Sequence, residues 1–176
     1  MAESPTIGRV FIALGANLSH PLHGPPLQTL PRALDRLQAK IAGHVLRRSG
    51  WFRSAPVPPS GQPWFVNGAA ELDTGLDPAA LLTALHRVED EFGRTRRDRN
   101  EARLIDLDLI DYRGRVSPPP GWPLLPHPRC HERAFVLHPL REIAPDWRHP
   151  VTGDHIDALI GRLPPGQAIE RLPDGA

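Results

Sequence analysis

The ten residues Arg103–Tyr112, RLIDLDLIDY, constrain this chain more than any other stretch, because they alternate with the period of a strand and set two carboxylates on one side. In an extended chain residues i and i+2 point the same way, about 6.5 Å apart. Asp106 and Asp108 therefore share a face, while Ile105, Leu107 and Leu109 line the opposite one. Paired carboxylates suit a hard cation: magnesium takes oxygen ligands and commonly completes its shell with waters and phosphate oxygens. A solvated face on an edge strand would give the same alternation. The residues upstream favour the cation. Gly93, Arg94, Arg96, Arg97, Arg99 and Arg103 precede the acidic pair, and guanidinium forks match phosphate oxygens. The pattern points to an enzyme acting on a polyphosphate.

A chain of 176 residues is near the common size of one domain, so a single domain over residues 1–176 is expected. The formal charge of +1 leaves no broad basic surface for nucleic acid, and positive charge has to act locally, from arginines; Lys40 is the one lysine. Cys130 is the one cysteine, which rules out an intrachain disulfide and suits a reducing compartment, so a cytoplasmic location is expected. The opening MAESPTIGRVFIALG lacks a basic leader, and no apolar run approaches the roughly 20 residues of a membrane span, so neither secretion nor a membrane partner is expected. Proline is abundant at 22 residues, with clusters at Pro56–Pro63 and Pro118–Pro128 between well-patterned apolar segments, which read as ordered loops.

Apolar spacing gives the order of elements. Arg9–Leu14 reads as a strand ending in GANL, where Gly15 permits a sharp turn and Asn17 can bond nearby backbone. Leu27, Leu30, Leu34, Leu37 and Ile41 predict a helix over roughly Thr29–Ala42, with Pro31 in its first turn and Gly43 as a left-handed cap. Val45–Ser54 and Trp64–Asp73 follow as strands around a proline-rich loop. A second helix starts at Asp77 as N-cap with Pro78 at N1, carries Leu81, Leu82, Leu85, Val88 and Phe92, and closes at Gly93. With the acidic strand this makes βαββαβ, an α+β, ferredoxin-like core whose antiparallel sheet has both helices on one face. An apolar run at Ala134–Leu140 and a weakly amphipathic segment at Ile156–Leu163 are expected to pack on the other face, so that helices cover both.

Four motifs, IALGANL at Ile12–Leu18, QPWFVN at Gln62–Asn67, EFGRTR running on to RLIDLDLI, and LPHPRCHERAFVLHPLREIAP at Leu125–Pro145, resemble the 6-hydroxymethyl-7,8-dihydropterin pyrophosphokinase family in the family's order. The resemblance implies transfer of a pyrophosphoryl group from ATP to the pterin hydroxymethyl group, with AMP released, in folate biosynthesis. It makes Asp106 and Asp108 ligands of two magnesium ions on the ATP phosphates, with Asp106 also the expected proton acceptor, and makes Arg94 and Arg103 catalytic arginines. Arg103 has the wrong parity for the aspartate face, so the chain has to turn there. On the pterin side it implies Phe65 and Phe135 stacking on the ring, Asn67 reading its polar edge, and contacts from Ser54, Pro56 and Val57. On the nucleotide side it implies Glu89, Arg96, Arg97, Ile110, His127 and Arg133. ATP and the pterin are the expected partners of a monomer. Many members carry Trp-Gly-Pro before the Arg103 equivalent, where this chain has Asn100, Glu101 and Ala102.

Blander readings of the same residues exist. Phe65 and Phe135 would serve equally as core aromatics, Glu89 as a solvated helix residue, and Arg96 and Arg97 as loop surface. A ferredoxin-like ligand- or RNA-binding module, or a metal-dependent phosphohydrolase, could be built from related parts. His127, Cys130 and His131 invite a zinc reading, but a structural site needs four ligands and Pro126 and Pro128 impose an extended chain, so His131 is expected to order its loop.

Overall fold

The computed structural model describes residues 8–94 and 102–175. Among the described residues the fold is α+β, with six strands in one antiparallel sheet and four α-helices. Strand β1 (Val10–Ala16) is buried along its whole length and lies between β5 (Asp106–Tyr112) and β4 (Phe65–Thr74). Its residues feed two cores in alternation. Val10, Ile12 and Leu14 pack beneath helices α1 (Pro26–Gln38) and α2 (Pro78–Glu91), whereas Phe11 and Ala13 pack beneath α3 (Ala134–Ile143) and α4 (Ile156–Gly161). Covering both faces explains why the strand reads VFIALGA with no polar alternation.

Each helix follows its apolar spacing. Leu30, Leu34 and Leu37 bury one side of α1, and Leu81, Leu85 and Val88 one side of α2. Asp77 caps α2 by accepting the Ala80 N–H at 2.8 Å, and Gly93 closes it at φ +76°. Helix α1 starts three residues earlier than the spacing suggests, so Pro31 lies inside it rather than in the first turn. The left-handed residue after α1 is Ala42, at φ 48°. Gly43 is needed for a different reason: it opens β2 (Gly43–Arg48), where a Cβ would sit 2.1 Å from the Asp73 carbonyl oxygen.

The expected single strand Val45–Ser54 is two, β2 and β3 (Phe52–Ser54), both paired with β4. The interruption has a packing cause. The Trp51 ring lies where a side chain on Gly68 of β4 would be, with a Cβ there only 2.7 Å from the indole, and the Ser49 hydroxyl accepts the Ala69 N–H in place of a ladder bond. A short strand not legible from periodicity, β6 (Ile169–Arg171), pairs with β3 and forms the other edge of the sheet. No helix among the described residues is long and apolar enough to cross a membrane.

Strand β5 departs from simple alternation. Phe11 pairs with Asp111 but Ile12 pairs with Leu109, leaving Ile110 as the extra residue of a β-bulge. Asp106, Asp108, Ile110 and Asp111 thereby face the α3 side, while Leu107, Leu109 and Tyr112 stay in the α1–α2 core. Asp111 is buried and accepts the Trp147 Nε1–H at 2.8 Å.

Gly43→Ala should destabilise the fold by about 2–4 kcal/mol, since the collision is with backbone on the partner strand. Equilibrium chemical denaturation checks this; an unchanged midpoint and slope would mean β2 does not approach β4 this closely.

Candidate active site

The site is built around the start of β5. Because β5 begins at Asp106, Arg103 is not part of the pleat, and the expected turn is present. Asn17, at the end of β1, holds that turn: its Oδ1 accepts the Arg103 N–H at 2.7 Å, and the Asn17 and Leu18 N–H groups donate to the Arg103 carbonyl at 3.0 and 3.1 Å. The Arg103 guanidinium then reaches Asp106 Oδ2. From the other side Gly93 turns the chain out of α2, and Arg94 bonds Glu89 while lying 2.8 Å from Asp106 Oδ1. Arg133, at the start of α3, is 3.9 Å from Asp108.

Three arginines and three carboxylates thus converge where the acidic pair was expected. Desolvation, reinforced by the neighbouring Asp106 carboxylate, holds the Asp108 carboxyl above the ordinary carboxylate range. Asp106 Oδ1 is shielded from solvent, yet no donor among the described residues is aligned to bond it; the Arg94 contact has the distance of an ion pair without hydrogen-bond geometry. Leaving a buried polar atom unmet costs about 1–3 kcal/mol, more for a charged group. Asp106 and Asp108 would hold a hard cation, which would supply the missing partner, so the residues present fit magnesium.

Beside the acidic pair opens a cleft of about 170 Å³. Its walls carry Ser54, Pro56, Val57, Phe65, Asn67 and Phe135, with Arg103, Asp106, Asp108 and Arg133 toward the acidic end. Every residue expected on the pterin side is therefore brought to one cavity. Asn67 is oriented by donating from Nδ2 to the Ser54 hydroxyl at 2.8 Å. Gly15 is not a turn residue but part of β1 opposite Asn67; a Cβ there would come 3.1 Å from Asn67 Oδ1.

The residues expected on the nucleotide side divide. Glu89 is fully buried and accepts the Leu107 N–H at 2.7 Å as well as bonding Arg94, so it lies under the site rather than on its surface. Ile110 is buried beneath α3 and presents its carbonyl, which accepts the His127 N–H at 2.8 Å. Burial, reinforced by Arg133, pushes the His127 imidazole down to about 4, so the ring is neutral. Arg96 and Arg97, with Asn100 and Glu101, lie outside the described residues.

Cys130 and His131 gather with His149, not His127. His149 Nδ1 faces the Val151 and Thr152 N–H groups at 3.4 and 3.3 Å, which leaves the proton on Nε2 and suits a turn cap rather than a metal ligand. Burial pushes the Cys130 thiol up to about 12, far from the thiolate a metal would need.

Sequence reasoning missed Asn17 as a support of Arg103 and missed Gln62, which accepts from Asn17 Nδ2 at 3.2 Å. It also missed Gln167, which lines the cleft from the carboxy-terminal segment. Asn17 stood inside a quoted motif, but its partner is 86 residues away and no local signal announces such a pair.

Residues 11–145 match the family described as 7,8-dihydro-6-hydroxymethylpterin-pyrophosphokinase. A 2-amino-4-hydroxy-6-hydroxymethyldihydropteridine pyrophosphokinase of Pseudomonas aeruginosa is 40% identical over 167 residues, covering 95% of this chain and 98% of its own. One of the same description from Methylorubrum extorquens is 36% identical, covering 93% of this chain and 98% of its own. The crystal structure of wild-type Plasmodium falciparum HPPK-DHPS superposes with a TM-score of 0.66 at 12% identity, a likeness of fold alone; this chain spans 92% of its own length there and 45% of that chain. A match running from β1 through the acidic strand into α3, with relatives similar over nearly their full length, means that the chain belongs to the 7,8-dihydro-6-hydroxymethylpterin-pyrophosphokinase family, enzymes that transfer pyrophosphate from ATP to this pterin.

Proposed function

We propose that residues 1–176 form a single pyrophosphokinase domain on a ferredoxin-like core, which binds ATP with two magnesium ions and 6-hydroxymethyl-7,8-dihydropterin and makes the pterin diphosphate and AMP. The observation that carries this reading is the juxtaposition of the acidic pair, with its unmet Asp106 oxygen, and a cleft walled by Phe65, Phe135 and Asn67. A working state as a cytoplasmic monomer, acting on no nucleic acid or membrane, goes with it.

The flat heteroaromatic ring lies between Phe65 and Phe135, where stacking on π faces is favourable. Asn67, fixed by Ser54, offers its amide to the ring's polar edge, and the backbone at Ser54, Pro56 and Val57 completes that wall. This holds the hydroxymethyl oxygen toward Asp106 and Asp108. Magnesium, when bound there, neutralises phosphate charge and lowers the pKa of a coordinated hydroxyl.

The hydroxymethyl oxygen forms a bond to the β-phosphorus, the bond from that phosphorus to the oxygen bridging to the α-phosphorus breaks, and AMP leaves with the electron pair. The hydroxyl proton passes to the acidic pair. Asp106, the expected acceptor, is the carboxylate that both Arg94 and Arg103 hold. Arg94 and Arg103 stabilise negative charge as it moves toward AMP, and His127, Arg133, Arg96 and Arg97 serve the nucleotide side, with Glu89 and the Ile110 backbone supporting them.

AMP formation from ATP and magnesium should require the pterin, and the pterin product should gain the mass of a diphosphate; AMP or phosphate release independent of pterin would instead mark a hydrolase. Asp106→Ala and Asp108→Ala should each lower turnover at least about a hundredfold with the circular dichroism spectrum retained. Near-normal turnover in either would remove the acidic clamp. Arg94→Ala and Arg103→Ala should lower kcat more than they raise the pterin Kd, because their contacts strengthen as charge moves. Intact kcat with weakened pterin binding would reassign both arginines.

A further inference from the structure

We infer that Gln167 is a positioning residue of the site, acting through Arg133, and that the segment 164–171 joins the two walls of the cleft. The family match stops at residue 145, so this segment lies beyond it. Helix α3 begins at Ala134 with Arg133 as N-cap and no side-chain cap from its own neighbourhood. A helix start leaves N–H groups without partners. Here the partner comes from 33 residues away: Gln167 Oε1 accepts the Ala134 N–H at 2.8 Å. Gln167 Nε2 donates to the Glu132 carbonyl, also at 2.8 Å.

These two backbone groups flank one residue. The Glu132 carbonyl belongs to the peptide before Arg133 and the Ala134 N–H to the peptide after it. The two soft dihedrals between those peptides are the φ and ψ of Arg133, found at −114° and 111°. One planar amide bonded to both peptides fixes both angles, and with them the direction in which the Arg133 side chain leaves the chain. That direction carries its guanidinium toward Asp108, with its carbon 5.5 Å from the centre of the Phe135 ring.

The backbone that follows Gln167 is anchored on the far wall. Ala168 accepts the Ala55 N–H at 3.0 Å, and Ile169 pairs with Ser54 as β6 begins. Gln167 therefore spans from the Ser54–Ala55 wall to the start of α3, and it lines the cleft between them. The effect on catalysis rests on the proposed nucleotide-side role of Arg133.

Gln167→Met keeps the side-chain length and removes the bonds to Ala134 and Glu132, together with a 3.5 Å bond from Nε2 to the Pro164 carbonyl. We expect it to speed amide hydrogen exchange at Ala134 more than about tenfold while amides of β4 are unchanged. With substrates, we expect the KM for ATP to rise about tenfold with kcat changed less than about threefold, and the KM effect to shrink below about twofold in an Arg133→Ala background. Gln167→Glu keeps the acceptor for Ala134 but sets an oxygen against the Glu132 carbonyl, and should show the KM effect with slower Ala134 exchange; it decides the matter if Gln167→Met does not fold. Unchanged exchange at Ala134 in Gln167→Met overturns the inference. So does a lowered melting temperature with unaltered KM, or a KM effect of equal size with and without Arg133. Absence of turnover in the parent protein would instead sink the functional reading, leaving the exchange result to judge the amide bridge.

Discussion

The bulge at Ile110 lets one strand serve both the site and the two cores. A strand with strict alternation would send Asp111 into the apolar layer under α1 and α2, where a carboxylate has no partner, and would turn Tyr112 away from that layer. Inserting one unpaired residue changes the parity once. Leu107, Leu109 and Tyr112 all reach the first core, and Asp106, Asp108 and Asp111 all face the α3 side. Asp111 then meets the Trp147 indole, while the two aspartates nearer the amino end face the cleft. The same ten residues thus complete one core and supply the acidic floor of the site.

Position at the sheet edge makes the rest possible. β5 pairs with β1 on one side only, so its outer backbone groups need other partners. Glu89 takes the Leu107 N–H and His127 donates to the Ile110 carbonyl, and both partners belong to the surroundings of the site. Glu89 also accounts for its own burial, since a fully buried carboxylate without a cation and a backbone donor would be strongly unfavourable. Arg94 joins Glu89 to Asp106, so the charge under the site and the charge in it are coupled through one guanidinium.

Much of this was legible in the chain because it follows local periodicity or a short motif. The apolar stripes of α1 and α2, the cap at Asp77, the turn at Gly93 and the shared face of Asp106 and Asp108 are all statements about neighbours in sequence. Departures arise where a distant group decides. Trp51 breaks the second strand because Gly68 on β4 leaves room for its ring. Gly43 is small because the Asp73 carbonyl approaches it, not because the helix needs a left-handed residue. Asn17 looked like a turn residue and instead fastens Arg103, and Gln167 gave no signal because its partners lie more than thirty positions away. His149 joined Cys130 and His131 for the same reason.

The most direct test of this account counts cations at the acidic pair. Manganese, standing in for magnesium and read by electron paramagnetic resonance, should bind at two ions per chain when the pterin and a non-reacting ATP analogue are present. Replacing Asp106 or Asp108 by Ala should remove at least one of them. Equal manganese stoichiometry and affinity in the parent protein and in both variants would contradict the claim that β5 presents its aspartates to the cations.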